Sequence, residues 1–283
     1  MNFSEVFQMT NQVYVITGGS GGMGKATAEL VGKNGTVLLA DISEERLEQT
    51  KQELAAKGIT DVHYATVDIT SRENVEALAT KAAELGALKG LVHTAGISPT
   101  MGDAQKILDV NLTGTINVLN AFYPLATEGT SAVIISSMSG YMVPQQGPHM
   151  EVIRNPFGEN TVETLVQFSQ GNSGAAYTFS KLAVQVIAED QAWYWGEKGS
   201  RINSLSPGTI NTAMGRQEAK QSEQMAQLLA ITPLKREGEA HEIATAVEFL
   251  LSDAASYITG IDLRVDGGTV PNLRKVQAAQ QQQ

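Results

Sequence analysis

The chain has 283 residues, 42% of them hydrophobic and 18% charged, which is too apolar for a disordered chain and long enough for a sizeable core. Twenty Lys and Arg against thirty Asp and Glu leave a net charge of -10, a surface that repels phosphate backbones and anionic lipid and so argues against nucleic acid or a membrane as the main partner. The absence of cysteine excludes disulfides and thiolate chemistry, and the four scattered histidines (His63, His93, His149, His241) form no metal-ligand pair.

The opening run, Met1-Asn2-Phe3-Ser4-Glu5-Val6-Phe7, shows neither a basic leader nor a continuous apolar stretch, and a cytoplasmic protein is the expectation. Val13 to Ile16 is a β-branched and aromatic run that ends in a glycine cluster, the pattern of a buried strand entering a turn. Lys25 to Val31 then reads as helix. Val37 to Ala40 is a second buried strand, with Ser43 as the cap of a helix that carries Leu47, Leu54 and Ala55. Val62 to Val67 is a third. Thr70-Ser-Arg-Glu73 fits a capping box ahead of Val75, Leu78, Ala79 and Ala82 on one helical face. Leu88 to His93, Ala132 to Ser136, Arg201 to Leu205 and Ile261 to Val265 supply four more strands. Uniformly apolar strands alternating with helices predict an α/β, doubly wound parallel sheet with helices on both faces. No linker divides residues 1–276, which are expected to form a single domain, and the Gln-rich 277–283 is expected to fray.

Thr17-Gly18-Gly19-Ser20-Gly21-Gly22-Met23-Gly24 lies between the first strand and the first helix, where glycines let a pyrophosphate approach free helix N–H groups. Asp41 ends the second strand 17 residues past Gly24, placed to accept hydrogen bonds from an adenosine ribose diol. It would repel a 2′-phosphate, and no Arg or Lys flanks it, so NAD rather than NADP is expected. Asp68 and Ile69 follow the third strand at a matching place, although Asp68 serves equally well as a helix cap. Thr94-Ala95-Gly96 offers small residues where a cofactor would cross the sheet edge.

Tyr177 and Lys181 stand four residues apart on a predicted helix, so the phenol and the ammonium share a face. Bringing a tyrosine from pKa ~10 to near 7 takes about 4 kcal/mol. A cation at ~4 Å supplies roughly that at an effective dielectric near 20, and such a tyrosine exchanges protons with a substrate hydroxyl at neutral pH. Ser136 and Ser137 close the fifth strand, Val110-Asn111-Leu112-Thr113-Gly114 places an amide in a helix beneath, and Ser206-Pro207-Gly208-Thr209-Ile210-Asn211-Thr212 follows the sixth strand.

Taken in order, Thr17-Gly-x-x-x-Gly-x-Gly24, Asp41, Asp68, Ala95-Gly96, Asn111, Ser137, Tyr177-x-x-x-Lys181, Pro207-Gly208 and Ile258-Thr-Gly-x-x-x-x-Val-Asp-Gly-Gly268 resemble the short-chain dehydrogenase/reductase family over nearly the whole chain. The resemblance implies a seven-stranded Rossmann sheet and hydride transfer between a nicotinamide and a carbonyl or alcohol. Tyr177 would be the acid/base, Lys181 would hold the nicotinamide ribose and lower the tyrosine pKa, Ser137 would bind the substrate oxygen, and Asn111 would position a water. Ser137 is preferred to Ser136 because it lies three residues before Gly140. Cofactor contacts are expected from Gly18, Ser20, Gly22, Met23 and Gly24, from Asp41, Asp68 and Ile69, from Thr94, Ala95 and Gly96, from Tyr177 and Lys181, and from Pro207, Gly208, Ile210 and Thr212.

Two departures stand out. His93-Thr94-Ala95-Gly96 replaces the family's Asn-Asn-Ala-Gly, which implies altered local bracing. The 40 residues from Ser137 to Tyr177 exceed the usual dozen, so roughly 141–172 is an insertion, with a helix over Thr161 to Ser169, that covers the substrate or alters subunit packing. Ala213 to Leu234 reads as a substrate lid. Met138, Met142, Met150, Met214 and Met225 flank the cleft or fill the core, and Trp193 and Trp195 suit packing or a subunit contact. The substrate expected is an apolar or cyclic secondary alcohol or ketone, such as a hydroxysteroid or terpenoid alcohol, in a homodimer or homotetramer. A 3-oxoacyl-thioester reductase and a non-catalytic nucleotide-sensing protein are the alternatives.

Overall fold

A computed structural model describes residues 11–221 and 223–280. The expectation placed on Met1 to Phe7 lies outside the described residues. The chain runs β1 (Gln12–Thr17), α1 (Gly22–Val31), β2 (Thr36–Asp41), α2 (Glu44–Ala56), β3 (Val62–Thr66), α3 (Arg72–Leu85) and β4 (Ala87–His93). Next come α4 (Ala104–Leu108), a π-helical turn Asp109–Thr113, α5 (Gly114–Phe122), β5 (Ser131–Ile135), the 3-10 turn Met138–Met142, α6 (His149–Ile153), α7 (Thr161–Ser169) and α8 (Ser173–Glu197). It ends with β6 (Arg201–Pro207), β7 (Ile210–Asn211), α9 (Ala213–Gln221), α10 (Glu223–Ile231), β8 (Gly238–Glu239), α11 (Ala240–Leu251), β9 (Asp262–Val265) and α12 (Thr269–Gln280).

All seven expected strands pair in parallel, in the order β3-β2-β1-β4-β5-β6-β9. Successive strand residues serve opposite faces. Val13, Val15, Leu38, Leu91, Ala132 and Ile134 join the core on the side of α3, α5 and α8. Tyr14, Ile16, Val37, Leu39, Val92 and Val133 join the core on the side of α1, α2 and α11. Burial on both faces is why the strands read as unbroken apolar runs. The order reverses direction between β1 and β4, and a doubly wound sheet opens a ligand crevice at such a point.

Ser43 caps α2 as expected, its Oγ accepting from Arg46 N. The cap of α3 is Ser71 rather than Thr70, because the Thr70 hydroxyl is engaged by Asp68. The buried face of α3 is Val75, Leu78, Ala79 and Ala82. The segment 141–172, read from the sequence as an insertion, carries α6 and α7, whose Met150, Ile153 and Leu165 enter the core shared with Ala176 and Phe179 of α8. His149 stacks on Phe179, ring centroids 5.4 Å apart, and meets Phe168 edge-on at 6.3 Å. The segment read as a lid is two helices, α9 and α10, rather than an irregular loop. Its flanks are joined by a short parallel pair, Ile210 to Gly238 and Asn211 to Glu239, which is too short to show periodicity in the sequence. The expected fraying from Gln277 does not begin there: α12 continues to Gln280, in keeping with the helix propensity of Ala and Gln, and 281–283 lie outside the described residues.

Candidate active site

The turn between β1 and α1 is a cradle that side chains would fill. Gly18 has φ +68°, and a Cβ there would stand 2.6 Å from Thr94 Oγ1 and 2.7 Å from Ala95 N. A Cβ on Gly24 would stand 2.3 Å from the Gly18 carbonyl. The N-cap of α1 is Gly21, which offers no side-chain acceptor, so the dipole end of α1 opens toward the crevice. Thr94 braces the turn by donating to the Thr17 carbonyl at 2.8 Å and the Gly18 carbonyl at 3.2 Å. Across the crevice, Thr212 Cγ2 lies 3.0 Å from the place a Gly22 Cβ would occupy, so the loop after β6 meets the glycine turn. The donor set and the tight backbone fit a dinucleotide pyrophosphate.

Asp41 ends β2, its side chain 12% exposed, and accepts from Ser20 Oγ at 2.6 Å, Ser20 N at 3.2 Å and Ile42 N at 2.8 Å. Contrary to the sequence reading, a cation does stand beside it. Arg46 reaches back from the first turn of α2 to within 3.3 Å, because helical side chains lean toward their N-terminus. The Arg46 side chain is 57% exposed, so the pair contributes little to stability.

Asp68 is exposed and spends Oδ1 on Thr70 N at 2.9 Å and Thr70 Oγ1 at 2.7 Å, closing the turn into α3. Ile69 is buried against Gly114, and its carbonyl receives Asn117 Nδ2 at 3.0 Å. Both its side chain and its carbonyl thus serve the packing of α5.

The catalytic candidates converge at the carboxyl ends of β4 and β5. Lys181 is 7% exposed, its Nζ 5.6 Å from the Tyr177 ring centroid and donating to the Ile135 carbonyl at 3.1 Å. Burial pulls its pKa down to about 8. A Cβ on Gly96 would stand 3.6 Å from Nζ and 3.1 Å from Asn111 Oδ1, so glycine there lets the three segments meet. Of the two adjacent hydroxyls, Ser136 is buried and donates to the Lys181 carbonyl at 2.7 Å. Ser137 is half-buried, its Oγ accepting from Ser139 N at 3.2 Å. Asn111 lies in the π-helical turn rather than in a regular helix. Its amide clamps the Ile97 peptide, Oδ1 accepting at 2.9 Å and Nδ2 donating at 3.0 Å, with Ser180 Oγ 3.4 Å from Nδ2. That side chain is therefore committed to the loop after β4, and a water would have to use the main-chain carbonyl.

Sequence reasoning misses His93 as a site residue, yet its buried ring joins three of these segments. Nδ1 lies 2.7 Å from Thr17 Oγ1 and Nε2 lies 3.0 Å from Thr115 Oγ1. Thr115 donates its proton to the Asn111 carbonyl at 2.7 Å, so it must accept from His93 Nε2–H, which leaves Nδ1 to accept from Thr17. Burial, then Lys181, lowers the histidine pKa to about 3 and keeps the ring neutral. The His-for-Asn departure was the visible signal.

Above the site, Met138, Leu228 and Val270 form a small buried cluster flanked by Tyr141, Met142 and Ile231. It joins the turn after Ser137 to α10 and α12. Met150 belongs instead to the main core, Met214 is 39% exposed on α9, and the side chain of Met225 lies outside the described residues. Trp195 is fully buried near Tyr123, whereas Trp193 is 72% exposed. Among the described residues no group of three or more His, Asp or Glu is placed to hold a metal, and no helix is long and apolar enough to cross a membrane.

Known proteins resemble this chain in sequence and fold. Residues 12–149 match the family model described as short chain dehydrogenase, and 161–270 match one described as Enoyl-(Acyl carrier protein) reductase. The short-chain dehydrogenase/reductase bsc3 of Alternaria brassicicola is 35% identical over 274 residues, 94% of this chain and 98% of that one. The crystal structure of levodione reductase superposes with a TM-score of 0.76 at 29% identity, covering 93% of this chain and 99% of the other. The 3-alpha-hydroxysteroid dehydrogenase from Pseudomonas sp. B-0831, solved with NADH, gives 0.75 at 26% identity, covering 93% and 98%.

Proposed function

Because the chain belongs to the short-chain dehydrogenase/reductase family, we propose that this oxidoreductase catalyses NAD(H)-dependent interconversion of an apolar or cyclic secondary alcohol and its ketone. The observation that carries the reading is the buried Lys181 ammonium one helical turn from Tyr177, beside the glycine cradle. In the oxidative direction the Tyr177 phenolate takes the hydroxyl proton from the substrate and becomes a neutral phenol. Lys181 stabilises the phenolate that exists before the transfer and forms again when the phenol passes its proton to solvent. Ser137 donates a hydrogen bond to the substrate oxygen, on which negative charge grows as its proton leaves. A dinucleotide held by its pyrophosphate in the cradle would supply, through its nicotinamide, the hydride acceptor. Asn111 holds the loop after β4, and the His93 ring ties the Thr17 hydroxyl, at the start of the glycine turn, to Thr115.

Asp41 supports NAD. A carboxylate at the end of β2 would repel a 2′-phosphate, and Arg46, exposed and already paired, is a weak counterweight. The apolar cluster of Met138, Leu228 and Val270 supports an apolar substrate, as does the likeness to a hydroxysteroid dehydrogenase solved with NADH. The protein would work in the cytoplasm as a homodimer or homotetramer.

The test is a panel of secondary alcohols (cyclohexanol, a 3-hydroxysteroid, a cyclic terpenoid alcohol, 2-octanol) with NAD or NADP, together with fluorescence titrations of NADH and NADPH. NAD reduction with the cyclic members and tighter NADH binding is the expected result. Equal or tighter NADPH binding would overturn the role of Asp41, and reduction of a 3-oxobutanoyl thioester with no alcohol oxidised would replace the substrate class.

A further inference from the structure

Tyr177 and Lys181 occupy successive turns of one face of α8, and the next position on that face is Gln185. Its Nε2 donates one proton to the Ser137 main-chain carbonyl at 3.3 Å and the other to Ser206 Oγ at 3.0 Å. Ser206 can accept because its own proton goes to Asp262 Oδ1 at 2.9 Å, where Ser204 Oγ also donates at 2.6 Å. The other carboxylate oxygen of Asp262 accepts from the Tyr141 hydroxyl at 2.7 Å. Tyr141 lies in the 3-10 turn Met138–Met142 that begins directly after Ser137. The path therefore closes on itself: from the Ser137 carbonyl through Gln185, Ser206, Asp262 and Tyr141, then back along the chain to Ser137.

We propose that this ring, with Gln185 as its positioning residue, fixes the peptide from which the Ser137 hydroxyl is presented to substrate. The proposal rests on the reading of Ser137 given above. Each proton in the ring has one acceptor: the bonds run outward from the two Gln185 amide protons, and the Asp262 carboxylate collects three hydroxyl protons, so the donor pattern is fixed. Burial, then the bond to Asp262, raises the Tyr141 pKa, which keeps that phenol a donor at any working pH. The guanidinium groups of Arg264 and Arg274 stand 4.9 and 5.7 Å from the Tyr141 ring centroid and hold it from the outside. Gly140 makes the approach possible. A Cβ there would stand 2.6 Å from Gln185 Nε2 and 3.0 Å from Leu182 N, pushing the turn off α8 and out of reach of the glutamine. Two restraints then converge on one residue: Gln185 holds the Ser137 carbonyl, and the Ser139 amide holds its Oγ, leaving the hydroxyl proton for a substrate oxygen.

The test is a double-mutant cycle of Gln185→Met with Ser137→Ala, read by turnover of the fastest alcohol of the panel, by NADH titration, and by amide exchange of residues 136–143. Methionine keeps the length and packing of the glutamine but donates nothing. Gln185→Met is expected to lower kcat about 10- to 100-fold, the scale of a misplaced catalytic group. NADH affinity should stay within about two-fold, and exchange of the Ser139 and Gly140 amides should quicken at least about ten-fold. In the Ser137→Ala background the same substitution should cost less than about two-fold, because a residue that acts only through Ser137 has nothing left to act on. Ser206→Ala, which cuts the link to Asp262, should show the same pattern at smaller size. Equal losses in both backgrounds would make Gln185 merely structural, and unaltered exchange in Gln185→Met would remove the ring. Full turnover by Ser137→Ala alone would overturn the reading of Ser137 itself, an outcome separate from the exchange result.

Discussion

Replacing Lys181 by methionine separates the electrostatic cost of the candidate site from its chemistry. The ammonium is buried, and burial lowers its pKa from 10.5 to about 8. The folded chain therefore binds the lysine proton more weakly than the unfolded chain does. The penalty is fully present below the folded pKa and is relieved as pH rises from about 8 toward 10.5. At pH 7 it amounts to about 3 kcal/mol, and at pH 10 to about 1 kcal/mol. Methionine carries no proton and has no such penalty, although it leaves the Ile135 carbonyl without its donor, at about 1–3 kcal/mol. The variant should accordingly be as stable as the parent at pH 7, or more so by up to about 2 kcal/mol, and should lose about 2 kcal/mol relative to the parent between pH 7 and pH 10. Urea unfolding of both apo-proteins at the two pH values measures the difference directly, and turnover should be abolished throughout. A stability gap that is the same at pH 7 and pH 10 would refute the buried-cation argument.

Asp41→Ser should leave NADH binding weaker by about ten-fold and bring NADPH to at least equal affinity, since Arg46 is then released toward a 2′-phosphate; fluorescence titration checks both. His93→Gln should blunt acid sensitivity. The folded histidine pKa is about 3 against an ordinary 6.5, so the unfolded chain binds the extra proton and stability falls as pH drops below about 6.5. By pH 5 the parent should have lost about 2 kcal/mol that the variant does not lose, measured by denaturant midpoints at pH 7 and 5. Equal losses would show that His93 is not a buried neutral ring.

The strands were legible because burial on both faces makes each a short apolar run, and Val13 to Ile16 followed by glycines gave the cofactor turn its place. The pair Tyr177 and Lys181 was legible because α-helical spacing alone puts them on one face. What escaped depends on distant partners. His93 meets Thr17 and Thr115, which are 76 and 22 residues away. Gln185 finds Ser206 on β6, and its ring ends at Asp262 on β9, neither implied by any local pattern. Arg46 escaped for a subtler reason: five residues from Asp41 is no recognised pairing until the Ser43 cap turns the chain back. The cap of α3 shifted by one residue because Asp68 competes for the Thr70 hydroxyl.

Steady-state turnover of Tyr177→Phe beside an NADH titration tests the central claim most directly. Removing the phenol oxygen should lower kcat by at least about 1,000-fold while leaving NADH affinity within a few-fold, because the ring still packs and only the proton carrier is gone. Parental turnover in the phenylalanine variant would contradict the assignment of Tyr177 as the acid/base.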